Sequence, residues 1–138
     1  MKFSIKNLSL TFTAGCIGGL TNMFIIWLFG VWGLPQALRV QIAPQLSAPW
    51  LYNRLVWGGI WGFLFFLPLV RNLPFPVRGV LYCLVPTLVQ LLIVFPFSTH
   101  KGMLGLQLGL LTPAFVLFYN VVWGLAAGSW LQLTTEEL

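Results

Sequence analysis

The apolar positions of this chain follow neither the two-residue alternation of a membrane barrel strand nor the three-to-four-residue stripe of a soluble helix. They continue through every face in long blocks. Four such blocks, at about residues 8–32, 50–70, 79–97 and 113–133, match the roughly 20 apolar residues that cross a ~30 Å hydrocarbon layer as a helix. None contains an acidic residue. Backbone polar groups inside lipid have to be satisfied within the segment, so these blocks predict helices. The expected fold is all-α, a four-transmembrane-helix bundle forming one integral membrane domain over residues 1–138, possessing little that could fold separately in water.

The connections divide into two kinds. That between the second and third blocks, from Arg71 to Arg78, is short and proline-rich, whereas the other two are long. In the first long one, Pro35 is suited to begin a helix and Pro44 to stop it, which predicts a two-turn segment over residues 36–42. The second, over residues 103–111, is too short to span and too apolar to float in water. It is expected to lie in the interface, re-enter the bilayer, or lengthen the fourth helix upstream of Pro113. Trp27, Trp32, Trp50, Trp130, Tyr52 and Tyr82 fall near block ends, where amphipathic rings favour the headgroup layer.

Composition agrees with the pattern: 59% of residues are hydrophobic and only 7% charged, too few charges to keep so apolar a chain dissolved. The charged residues set the orientation. Lys2 and Lys6 share a side with Arg71 and Arg78, against Arg39, Lys101 and Arg54, which is read as lying at the membrane edge. Basic residues accumulate on the cytoplasmic side, so both termini are expected there, in what reads as a bacterial inner membrane. The net charge of +5 is then topology and contact with anionic lipid; no basic surface with stacking aromatics lies outside the blocks, so nucleic acid is not an expected partner. A competing reading takes Thr13-Ala14-Gly15-Cys16 as a lipoprotein cleavage box, but the residues that follow Cys16 stay apolar instead of forming a polar tether. Cys16 and Cys83 both fall within blocks and read as small packing residues.

An offset of about 66 residues aligns parts of the two halves: Leu38-x-x-Gln41 with Leu104-x-x-Gln107, and Val56-Trp57-Gly58-x-x-x-Gly62 with Val122-Trp123-Gly124-x-x-x-Gly128. This suggests duplicated helical hairpins. Glycines four residues apart remove side chains from one stripe and let helix backbones meet, and Gly15 with Gly19 supply a further pair. Gly15, Gly19, Gly58, Gly62, Gly124 and Gly128 are therefore the expected packing residues, in seams either within one chain or between chains.

Chemistry is scarce. There is no aspartate, the only glutamates are Glu136 and Glu137, and His100 is the sole histidine, so no carboxylate pair, histidine cluster or Cys/His metal set can be assembled within the blocks. His100 beside Lys101 has no nearby nucleophile or acid. No catalytic residue, metal or cofactor is expected. Polar residues inside a span are costly and mark candidate sites. Here they are Arg54, Asn22, Gln90, Asn53 and Asn120, read as a polar column along the bundle axis in which Arg54 would attract an anion at the outer mouth. The alternative for each amide is a hydrogen bond to a neighbouring helix. Two functions follow: a non-enzymatic accessory or scaffold subunit of a homo-oligomer or larger membrane complex held by glycine seams, or a small dimeric channel or passive transporter. A cavity shared by those five residues distinguishes the second.

Overall fold

A computed structural model describes residues 2–135, and across them the chain is helix and connecting turn, with no strand. The first helix, α1 (Ile5–Trp32), begins where the Ser4 hydroxyl accepts from Asn7 N at 3.1 Å, and it stops at Gly33, whose φ of +79° places it in the left-handed region that glycine tolerates. Its threonines return their hydroxyls to their own helix: Thr11, Thr13 and Thr21 each donate to the carbonyl four residues back. Each of these three threonine hydroxyls is thereby satisfied within the helix.

A single helical turn, α2 (Leu34–Ala37), follows, and then α3 (Ala48–Gly62), capped by Ser47 and continued by a tighter 3-10 turn over Phe63–Phe66. The next long helix is interrupted. α4 (Phe75–Tyr82) passes into α5 (Leu84–Val89) through a tightened turn at Cys83, because Pro86 lacks the N–H that would have met the Tyr82 carbonyl. Gln90–Ser98 then adopts the wider i→i+5 winding of a π-helix, closed where Thr99 N donates to Val94 O at 2.9 Å. The last helix is α6 (Thr112–Thr135).

Three helical stretches, Ile5–Trp32, Phe75–Ser98 and Thr112–Thr135, are long and apolar enough to cross a membrane. The second predicted block differs from expectation: α3 has 15 residues, ~22 Å at 1.5 Å per residue, and reaches further only through its 3-10 turn. The outer segments also differ. The two-turn helix expected over residues 36–42 is one turn, because Arg39 takes a φ of +61° and turns the chain inward to bury Val40. Residues 103–111 do not extend α6, which starts at Thr112; they form a 3-10 turn at Met103–Gly105 and fold onto the other loop. Gln41 N donates to Leu108 O at 2.9 Å, and Gly109, φ +151°, lies against the Arg39–Val40 backbone where a side chain would collide.

Packing is antiparallel in sequence around two central helices: α3 lies on α1, α1 on α6, and α6 on α4. Glycine makes each close approach. A Cβ on Gly58 would fall 2.7 Å from the Gly15 carbonyl oxygen and 3.1 Å from Gly19 Cα, while Gly62 faces the Thr11 carbonyl. On the other side Gly124 and Gly79 meet backbone to backbone, and a Cβ on Gly128 would lie 2.7 Å from Pro76 Cα. At the centre Gly18 receives the Trp123 indole, whose Nε1 donates to Gly15 O at 3.1 Å. The six glycines singled out from the sequence thus all sit in contacts within one chain. Gly79 joins them unannounced, since it has no glycine neighbour four residues away to form a motif. Both cysteines are free thiols in these seams, Cys16 donating to Leu55 O and Cys83 to Val80 O.

Because a methyl at Gly79 or Gly124 would meet backbone that has no rotamer to yield, Gly79→Ala and Gly124→Ala are each expected to cost about 1–3 kcal/mol. Ile93→Ala, on an exposed face, should cost under about 0.5 kcal/mol. Equilibrium unfolding in mixed micelles, followed by tryptophan fluorescence, checks the contrast; equal losses for all three would contradict the backbone contact.

Candidate functional site

The close seam between α1 and α3 fixes where Arg54 emerges. Its backbone carbonyl lies beside Gly19, the midpoint of α1, so its Cα is deep in the bundle and not at a membrane edge. From there the side chain extends toward the loop end. Nη1 donates to Asn22 Oδ1 at 3.3 Å, and the guanidinium carbon lies 5.8 Å from the centroid of the Trp50 ring, within cation–π range. Asn22, only 3% exposed, uses its other end to donate from Nδ2 to the Tyr119 carbonyl at 2.7 Å. One amide therefore links α3, α1 and α6.

A second link completes the layer. Asn120 donates from Nδ2 to Thr87 Oγ1 at 2.9 Å, and the Thr87 hydroxyl donates in turn to Cys83 O at 2.7 Å, which joins α6 to α5. One turn beyond Thr87, Gln90 opens the π-helical stretch. Its amide has no side-chain hydrogen bond among the described residues, nor has that of Asn53, which is exposed. Asn22 and Asn120 thus serve as helix-to-helix donors, while Gln90 and Asn53 keep their groups unspent.

All five predicted residues border a single half-open cavity of about 380 Å³. It lies between α3 and the stretch from Pro86 to Val94, two elements that face each other without close packing, and its floor is α1 and α6. The arrangement is a layer across the helices and not the column along the axis expected from the sequence: Arg54, Asn22, Asn120 and Thr87 succeed one another sideways, at nearly one depth. Toward the loop end an adjoining chamber of about 320 Å³ shares Trp50, Arg54, Gln90 and Asn120 and is covered by residues 41–44 and Leu108. Tyr119, whose buried hydroxyl has no partner among the described residues, lines this chamber. On its terminal side the cavity is lined by Trp61 and Trp123, and Trp123 belongs to a cluster with Phe65 and Tyr82, ring centroids 6.4 and 5.5 Å from that of Phe65.

Electrostatically the site is a lone positive charge. The chain has no acidic residue before Glu136, and nothing acidic occurs among the described residues. A cation placed between low-dielectric walls focuses a positive potential into the cleft. Holding it there without a counter-charge is unfavourable, by ~2.5–3.5 kcal/mol on membrane-insertion scales, and Asn22 and Trp50 offset part of that cost. Among the described residues no group of His, Cys, Asp or Glu is placed to hold a metal ion. His100 lies exposed in the second loop, away from the cavity, with φ +56°.

Thr87 and Trp50 were not among the residues picked from the sequence. Thr87 could have been found from its spacing, three residues before Gln90 on the same helical face. Trp50 could not, since a tryptophan at a helix start reads equally well as an interfacial anchor. No family model, curated protein or solved structure matches the chain.

Removing the amide that joins three helices, by Asn22→Ala, is expected to destabilise the protein by about 1–3 kcal/mol, since it also leaves Arg54 without its acceptor. Asn53→Ala, which breaks no bond within the chain, should change stability by less than about 0.5 kcal/mol. Chemical unfolding of the two variants side by side measures the difference, and a costless Asn22→Ala would show the layer to be unimportant for the fold.

Proposed function

We propose that the protein is a small non-enzymatic membrane protein that receives an anion in the Arg54 cleft, as a channel or passive transporter. The observation that carries this reading is the cavity itself: Arg54, Asn22, Asn53, Gln90 and Asn120, drawn from four separate helical stretches, converge on one space around an arginine that has no carboxylate partner among the described residues. Side chains serving only as helix glue would be consumed in pairwise bonds, yet Gln90 and Asn53 have none. An entering anion would supply the charge that Arg54 lacks, and amides would replace part of its hydration shell. The aromatic cluster of Phe65, Tyr82 and Trp123 closes the terminal end, so passage requires that cluster to part.

The architecture proposed with it is four crossings in a bacterial inner membrane, both termini cytoplasmic and the loops of residues 33–47 and 99–111 outside. Two features support four crossings. α3 runs antiparallel along α1 from Gly19 to Thr11, and its 3-10 turn adds ~8 Å at ~2 Å per residue. Phe66, at the end of that turn, meets Phe3 at the chain's start, ring centroids 5.6 Å apart. Duplication of a hairpin is supported by matching interlocks: Gly58 on Gly15 with Gly62 on Thr11, and Gly124 on Gly79 with Gly128 on Phe75. An accessory subunit assembling through glycine seams has less support, since those glycines are already engaged inside the chain.

In proteoliposomes, Arg54-dependent permeability to acetate should fall at least tenfold in Arg54→Gln and be partly kept in Arg54→Lys; permeability unaltered by either change would overturn the reading. For the topology, with Cys16 and Cys83 replaced by alanine, a membrane-impermeant maleimide added to intact cells should label Gln107→Cys and leave Arg71→Cys unlabelled until the membrane is opened. Labelling of both from outside would refute the four-crossing arrangement.

A further inference from the structure

The cleft is not uniformly polar, and its two ends want different things. Around Arg54 stand the amides of Asn22, Asn53, Gln90 and Asn120. Apart from Trp50 against the guanidinium, the remainder of the lining is Trp57, Trp61 and Trp123 with Pro86, Val89 and Val94, and two glycines, Gly19 and Gly58, that present no side chain. A fully hydrated inorganic anion would gain nothing from that second half. The volume also exceeds a single-ion site: about 380 Å³ is the size of a small-molecule pocket and would hold on the order of ten waters at ~30 Å³ each.

The opening is sideways. Trp57 lines the cavity and yet is 54% exposed, and its neighbour Gly58 sits against Gly15 and Gly19 in the middle of α1. Because α3 and the Pro86–Val94 stretch do not pack on each other, the gap between them faces the hydrocarbon layer at that depth in the proposed bundle. The interruption at Pro86 and the wide winding from Gln90 hold that wall away from α3. What enters from lipid is an amphiphile, and what Arg54 retains is an anion. The site offers one full positive charge and neutral amides, which balances a monoanion; a doubly charged phosphate monoester would bring a second, uncompensated charge into a low-dielectric cleft.

Resting on the anion-binding reading above, we infer that the occupant of the Arg54 cleft is a monoanionic amphiphile, with a carboxylate or phosphate-diester head at Arg54 and Gln90 and an apolar tail leaving over Trp57 and Trp61 into the membrane. Since the tail moves from lipid to an apolar groove, it gains little by the transfer, and selectivity comes from the head. Arg54 binds it by charge-assisted hydrogen bonds from the guanidinium N–H groups that Asn22 does not use. The tryptophans supply flat apolar walls for the chain.

The test uses the whole protein in nanodiscs, with bromine in the tail as a contact quencher of tryptophan fluorescence. Three probes carry matched brominated tails: a fatty carboxylate, a phosphatidylglycerol and a neutral phosphatidylcholine. Saturable quenching is expected at a mole fraction at least tenfold lower for one or both anionic probes than for the neutral one, and the probe that shows it names the head. Arg54→Gln should abolish that preference. Trp57→Phe combined with Trp61→Phe should remove most of the saturable quenching while leaving the native fold, monitored by circular dichroism. Equal quenching by all three probes, or quenching unaffected by the tryptophan changes, overturns the inference. If the acetate permeability still depends on Arg54 in that event, only the amphiphile is refuted; if it does not, the anion-binding reading fails as well.

Discussion

The contact of α1 with α3 at Gly15, Gly19, Gly58 and Gly62 positions everything else in this bundle. Inside hydrocarbon, helices gain no hydrophobic advantage by meeting, so what holds them is close van der Waals contact and the hydrogen bonds that such closeness permits. With the two backbones touching, Arg54 emerges at the depth of Gly19, and its guanidinium finds Asn22 within reach. Asn22 can hold it only because α6 also lies close, with Trp123 tucked against Gly18 and bonded to Gly15 O, so that the Tyr119 carbonyl is available to the amide. A larger residue at any of these glycines would move the arginine as well as weaken the helix pair.

The other wall of the cleft depends on the opposite property. Where α3 is glycine-fitted to α1, the Phe75–Ser98 span meets the α6 backbone directly only at its start, at Phe75 and Gly79, and then departs from regular winding at Cys83 and again from Gln90. The first departure follows from Pro86, which cannot donate to Tyr82. Polar side chains tie this interrupted stretch to its neighbours: Thr87 to Cys83 O, Asn120 to Thr87, and the Tyr82 hydroxyl 2.9 Å from the carbonyl oxygens of both Leu67 and Leu69. The cavity is thus the space between α3, fitted to α1, and a span of interrupted winding that does not pack on it.

Much of this could be read from residues alone, and the reasons for success and failure are physical. Helical membrane spans follow from apolar blocks without acids, and the glycines of α1, α3 and α6 carry a spacing that announces close contact. Gly79 has the same role with no such spacing, because its partner spacing lies on the other helix. The five polar residues stood out because polarity within a span is rare, but their arrangement did not: depth was inferred by counting from block ends, which put Arg54 at an edge, whereas depth is set by register against α1. The loops depart from their sequence pattern for a different reason. Pro35 starts a helical turn as expected, but the chain leaves it well before Pro44, at Arg39, to bury Val40 against Ile26 and to pair Gln41 with Leu108, tertiary contacts that no local signal carries.

The aromatic closure at Phe65, Tyr82 and Trp123 has an electrical meaning. An applied membrane voltage falls where matter polarises least, and here that is the packed ring cluster between the cavity and the terminal end. In the proposed orientation the cover of residues 41–44 and Leu108 on the loop side is a second such layer, so the cleft lies at a potential between those of the two solutions. Moving one charge through a full 100 mV is worth about 2.3 kcal/mol, and a charge held at the depth of Arg54 divides that energy between the loop-side cover and the rings. If the proposed passage takes place, both arrival at the arginine and departure past the rings would depend on membrane potential, each by its share of the drop.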